Sequence, residues 1–304
     1  MSGPAAAQQC TLKLMAALPM TDTSGRFTVP VSLNGETHQF LIDTAGIYTS
    51  LTESVIQQLK LKEVPVSGTN VYDTEGKRAT KGVLVDSLKL GMNEIKHVHA
   101  FVHDDGDKEI DGTLAPNLLQ VFDVDLDFSG HKVNLFSQDH CPGKVVYWTK
   151  DYAEIPFKMP DGFHIVAPVA LDGHNLTATF DTGSPVTFLS QQSAETVFNA
   201  GPNASGSEPV PNAKPQDRIQ YQHRFQSLAF GGVSVTNPLI YLLPDDTAKA
   251  IRKDYDDPKS IDDPVYGLQL DLPRLIIGEN VIKRLHVYIA YKEHVMYVTS
   301  ADAH

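Results

Sequence analysis

Short apolar stretches alternate with polar residues along most of this chain, and few of them run long enough to make a helix. Phe122-Asp123-Val124-Asp125-Leu126-Asp127-Phe128 alternates strictly, which predicts a strand with Val124 and Leu126 inward and the three aspartates on a solvated face. Residues 131–136 and 295–299 predict two further strands. Asn34-Gly35 and Asp172-Gly173 each separate two apolar stretches and read as hairpin turns. Helices are predicted only in short pieces. Thr52-Glu53-Ser54 opens one, with Val55, Ile56 and Leu59 behind it, and residues 190–198 supply another. Residues 199–216, rich in Pro, Gly, Ser and Asn, read as a long surface loop, and the acidic stretch 254–264 as a second. The pattern predicts an all-β chain, mainly strands with short helices.

The pattern also repeats. Val29-Pro30-Val31-Ser32-Leu33-Asn34-Gly35 is answered by Ala167-Pro168-Val169-Ala170-Leu171-Asp172-Gly173. Eight residues after the glycine of each stands an Asp-Thr, in Phe40-Leu41-Ile42-Asp43-Thr44 and in Ala178-Thr179-Phe180-Asp181-Thr182. Both landmarks keep the same spacing of 138 residues. Farther on, Asn117-Leu118-Leu119 aligns with Asn280-Val281-Ile282 at a spacing of 163 residues, so the second copy is longer between its landmarks. Two landmarks in the same order in each copy define two similar units. The boundaries follow: an N-terminal segment 1–24, a first lobe 25–140, a connector 141–160 broken by Cys141-Pro142-Gly143, and a second lobe 161–304.

Composition narrows the function classes. With 304 residues, 41% hydrophobic and 20% charged, the chain has material for two packed lobes. A net charge of -12 argues against a nucleic-acid binder, which needs clustered Lys and Arg. No apolar run reaches the ~20 residues of a membrane span. Ala5-Ala6-Ala7 ahead of Gln8-Gln9-Cys10 matches the small-residue triplet of a signal-peptidase site, with neither a charged nor an apolar region upstream. This gives the expectation of an exported protein, periplasmic or secreted. In that setting Cys10 and Cys141 would form one disulfide tying the N-terminus to the end of the first lobe; the alternative is two unrelated thiols.

The paired apolar-apolar-Asp-Thr motifs, each followed by a later apolar segment (Gly112-Thr113-Leu114-Ala115 and Leu275-Ile276-Ile277-Gly278), resemble the retropepsin-like and pepsin-like aspartic proteases. The likeness is to the bacterial type with two retropepsin-like lobes in tandem, and it covers roughly residues 25–300. It implies a bilobal, pseudo-twofold structure with a central cleft, in which the later segment braces each Asp-Thr loop. It implies Asp43 and Asp181 as catalytic residues, sharing one proton because two close carboxylates do not both ionise cheaply. Thr44 and Thr182 would lock the two loops together, and Gly183 would let the backbone approach a substrate. Ser184 would place a hydroxyl beside the carboxylate, while Ala45 and Gly46 complete the first loop. A flap over the cleft would come from Tyr72, Glu75 and Gly76. The partner would be a peptide or protein, with no metal or cofactor, and one chain carries both halves of the site, so dimerisation is neither required nor excluded.

Lobe one departs from the family pattern at Ala45 and Ala115, where glycine is usual. Two readings therefore stand, an aspartic endopeptidase and a catalytically impaired peptide-binding relative. Other constellations carry less. His97, His99 and His103 share a presumed strand face with Phe101 but lack a second ligand cluster for zinc. Asp104-Asp105-Gly106-Asp107 lacks the spaced ligands of a calcium loop. The Asp123 to Asp127 run falls in the repeat, where its counterpart, from His286 to Ala290, has no acid.

Overall fold

The computed structural model describes residues 11–302 except 24, 67–80, 104–107, 161, 216 and 246–274. Its regular structure is mostly strands, arranged in three sheets, with a few short helices. The lobe-one sheet runs, in spatial order, Thr21–Thr23, Arg26–Leu33, Glu36–Ile42, Gly112–Leu114, Ser50–Leu51, Asn93–Val102, Lys81–Leu90 and Glu63–Pro65, and a further pairing of Arg26–Leu33 with Lys81–Leu90 closes it on itself. The lobe-two sheet repeats this centre. His174–Phe180 lies parallel to Leu275–Ile277, which pairs antiparallel with Thr187–Ser190.

The period of two explains why these segments are strands. Val29, Val31 and Leu33 are buried, as are their counterparts Ala167, Val169 and Leu171, while their neighbours point away. Each fully buried Val or Leu contributes about 1.5–3 kcal/mol relative to exposure. Asn34-Gly35 and Asp172-Gly173 turn the two hairpins with positive φ at both positions (49° and 97°, 44° and 79°), the turn whose twist matches the flanking strands. The helix Glu53–Gln58 starts at Thr52, whose hydroxyl accepts the Val55 amide. Gln191–Phe198 starts at Ser190 and ends on left-handed Asn199.

The third sheet joins the lobes. Its six strands run Leu14–Pro19, Lys132–Phe136, Asp123–Asp127, Leu285–Ala290, Val295–Ser300 and Ala153–Pro156. Its middle pairing, Asp125 opposite Tyr288, crosses from one lobe to the other. Leu14–Pro19, which the sequence assigns to an N-terminal segment, is thus an edge strand beside lobe one.

This sheet corrects the expected solvated aspartate face. Asp123 and Asp125 are both fully buried. Val124 and Leu126 face the main core as expected, but the connector folds over the other face with Val145, Tyr147 and Trp148. Asp125 accepts from His286 Nε2 (2.7 Å), from the Tyr147 hydroxyl (2.5 Å) and from Asn134 (2.9 Å), and Asp123 pairs with His140. Buried carboxylates persist only when so paired. Trp148 stacks on His286, ring centroids 3.9 Å apart, which fixes the imidazole. Cys141 is disulfide-bonded; Cys10 lies outside the described residues.

Candidate active site

The two Asp-Thr loops meet where the lobes face each other. Each is held by its brace in the same way: the Asp43 amide donates to Leu114 O (3.1 Å) and the Asp181 amide to Ile277 O (2.9 Å). The braces are themselves tied down alike. Thr49 and Thr187 each accept the amide of the residue ending the brace, Ala115 (3.2 Å) and Gly278 (3.1 Å), and each donates to an asparagine, Asn117 (3.0 Å) and Asn280 (2.7 Å).

The threonines cross-link the loops reciprocally. Thr44 Oγ1 donates to Phe180 O (2.8 Å) and accepts the Thr182 amide (3.1 Å). Thr182 Oγ1 donates to Ile42 O (2.7 Å) and accepts the Thr44 amide (3.1 Å). Both side chains are buried. Four bonds across the pseudo-twofold axis leave little freedom between the carboxylates. Asp43 Oδ1 accepts the Ala45 (2.9 Å) and Gly46 (2.6 Å) amides, and Asp181 Oδ1 accepts those of Gly183 (2.8 Å) and Ser184 (3.1 Å).

With one oxygen of each carboxylate fixed by amides, Asp43 and Asp181 lie close enough to act on each other's proton affinity. They are only partly exposed and are densely surrounded by protein. Burial pushes Asp43 above the usual carboxylate range, against the pull of its two amides and of His164. Burial, and then the charge of Asp43, push Asp181 well above it. A neighbouring acid and the loss of water both favour keeping one proton on the pair. The arrangement is suited to hold a water between an acid and a base.

The lobes differ around this shared centre. A Cβ on Gly183 would stand 2.6 Å from Cγ of Asp43, so glycine there serves the approach of the opposite carboxylate. Ala45 occupies the equivalent position in lobe one. Gly46 and Ser184 are likewise equivalent. The Ser184 hydroxyl, expected beside the carboxylate, donates to Val186 O (2.8 Å), and only its amide reaches Asp181.

Of the other residues singled out in the sequence, Tyr72, Glu75 and Gly76 lie outside the described residues. His97 and His99 are exposed beside a shallow cavity with Tyr48 and Phe101, and among the described residues no group of three or more His, Cys, Asp or Glu is arranged to hold a metal. Among the described residues no helix is long and apolar enough to cross a membrane. His164 was missed. The repeat spacing carries a signal for it, because the position equivalent to His164 in lobe one is Arg26, a basic residue in both copies.

Residues 29–118 match the family model described as aspartyl protease, so the lobe with the altered glycines is the one carrying the match. No curated protein matches the chain significantly. Among solved structures, the aspartic proteinase from Irpex lacteus is similar at a TM-score of 0.52 and 13% identity, covering 95% of this chain and 98% of that one. At that identity the likeness establishes the fold. The family match thus covers lobe one, and the fold of a solved aspartic proteinase extends over both lobes.

Proposed function

We propose that this chain is an aspartic endopeptidase that hydrolyses peptide bonds with a water activated between Asp43 and Asp181. The observation that carries this reading is the reciprocal Thr44–Thr182 lock, which ties the loop bearing Asp43 to the loop bearing Asp181. One carboxylate, ionised, takes a proton from the water as it attacks the scissile carbonyl carbon. The other, protonated, donates to the carbonyl oxygen, so the pair keeps one proton throughout. Collapse of the tetrahedral species passes a proton to the leaving nitrogen. An extended peptide would lie along the groove between lobes, bound mainly through its backbone. The disulfide at Cys141 fits the exported, oxidising setting proposed for it.

Ala45 favours a second reading, a peptide-binding relative with impaired turnover, because its methyl group stands where lobe two needs a glycine. Exposing a mixed peptide library to the protein at acidic and neutral pH separates the two. The endopeptidase reading expects new termini at internal peptide bonds. Retention of uncleaved peptides with no new termini supports the second reading instead, and Ala45→Gly should then restore cleavage.

A further inference from the structure

Glu279 touches both lobes. It opens the helix Glu279–Ile282 directly after the brace glycine Gly278, and it is 1% exposed. Its amide donates to Ser184 O (2.8 Å), the carbonyl of the residue whose own amide holds Asp181. Its Oε1 reaches across the lobe boundary to accept the Phe27 amide at 3.1 Å. Phe27 lies in Arg26–Leu33, the strand paired with Glu36–Ile42, which leads into Asp43. A single residue, through its backbone amide on one side and its side chain on the other, therefore connects one carboxylate loop to the strand pair carrying the other. The equivalent lobe-one residue is Pro116, which has neither an amide proton nor an acid, so the tie has no symmetry mate.

We propose that Glu279 is a positioning residue for the Asp43–Asp181 pair, a clamp that keeps the Asp181 loop in register with lobe one. This rests on the endopeptidase reading for its catalytic consequence and on the contacts alone for the clamp.

The clamp has a preferred protonation state. Oε2 is buried with no hydrogen-bond partner among the described residues, which suits a neutral acid better than a carboxylate. Burial pushes Glu279 up to about 8, with Asp22 acting in the same direction and the Phe27 amide, Lys283 and Arg26 acting against it. A carboxyl raised in the folded state stabilises the fold fully below its ordinary value of 4.5, and that contribution is lost as pH rises toward about 8. Glutamine keeps an acceptor for Phe27 and cannot titrate.

The test compares Glu279→Gln and Glu279→Ala with wild type, measuring kcat and KM on a cleaved peptide, and the melting temperature from about pH 5 to about pH 9. Removing the acceptor in Glu279→Ala should lower kcat by about tenfold with KM changed less than about threefold, as expected when geometry rather than binding is lost. Glu279→Gln should keep kcat within about twofold at acidic pH and should gain stability over wild type as pH rises. Unchanged kcat in Glu279→Ala overturns the proposal, and so does a kcat in Glu279→Gln as low as that of the alanine variant. Should wild type cleave nothing, the endopeptidase reading fails separately, and hydrogen exchange at the Phe27 amide still judges the clamp. Exchange about tenfold faster in Glu279→Ala supports it, and equal exchange overturns it.

Discussion

Gly46 and Ala115 form a small–large pair that lobe two carries in reverse. A Cβ on Gly46 would stand 3.3 Å from Cβ of Ala115 and 2.6 Å from Oδ2 of Asp43. At the equivalent positions Ser184 bears the side chain, and Gly278 has none, because a Cβ there would run into the Val186 carbonyl. The missing side chain also lets the Gly46 amide approach its carboxylate to 2.6 Å, against 3.1 Å for Ser184. Ala115, unusual taken alone, is accommodated by the glycine opposite it.

That relationship makes the pair testable by a double-mutant cycle. Gly46→Ser should destabilise the protein by about 1–3 kcal/mol, the usual cost of overpacking a tight site. Adding Ala115→Gly should recover part of this, giving a coupling of at least about 0.5 kcal/mol in denaturant melts. Additive effects would show that the two positions do not compensate each other.

Replacing Thr44 by Val removes a donor to Phe180 O and the acceptor for the Thr182 amide, both in a buried place. Two orphaned buried groups should cost about 2–4 kcal/mol in unfolding free energy. Thr182→Val should cost a similar amount, since its bonds mirror those of Thr44. Cleavage should fall with both, because the carboxylates lose their register.

The carboxylate pair should itself be a source of instability at neutral pH. Asp43 and Asp181 are both raised above their ordinary value of 3.8 by burial. Protonated acids therefore suit the fold, and their contribution is present below that value and lost as pH rises through the folded-state values. Asp181→Asn should raise the melting temperature relative to wild type, with a gap that widens from acidic to neutral pH. A gap independent of pH would contradict the raised affinity for the proton.

The joint between lobes should fail if its buried charge is uncovered. His286 of lobe two pairs with Asp125 of lobe one at 2.7 Å. His286→Ala leaves that carboxylate with Tyr147 and Asn134 but without the imidazole, at an expected cost of about 1–3 kcal/mol. His286→Ala combined with Asp125→Asn should be more stable than His286→Ala alone, as read in thermal melts.

Much of this architecture was legible in the residue pattern. The spacing from Asp43 to Asp181 and from Asn117 to Asn280 predicts two lobes with matching loops, because hydrogen bonds such as those of Thr49 and Thr187 demand the same residue at the same place in each copy. Asp123 and Asp125 were misread, since alternation reports which side a residue faces and says nothing of what later folds over that side. The connector bearing His140, Tyr147 and Trp148 covers them, and His286 arrives from 161 residues away. Glu279 carries no signal in the sequence, and only the approach of Phe27 from the other lobe gives it a role. The family resemblance puts the Ser184 hydroxyl beside the carboxylate, but its direction depends on the local carbonyl of Val186.

The central claim is that one proton shared by two carboxylates drives hydrolysis. Its most direct measurement is kcat/KM on one cleaved peptide for wild type, Asp43→Asn and Asp181→Asn. The account predicts that each single change lowers kcat/KM by at least about a thousandfold, because each removes half of one acid–base pair. Cleavage by either variant at near wild-type rate would contradict it.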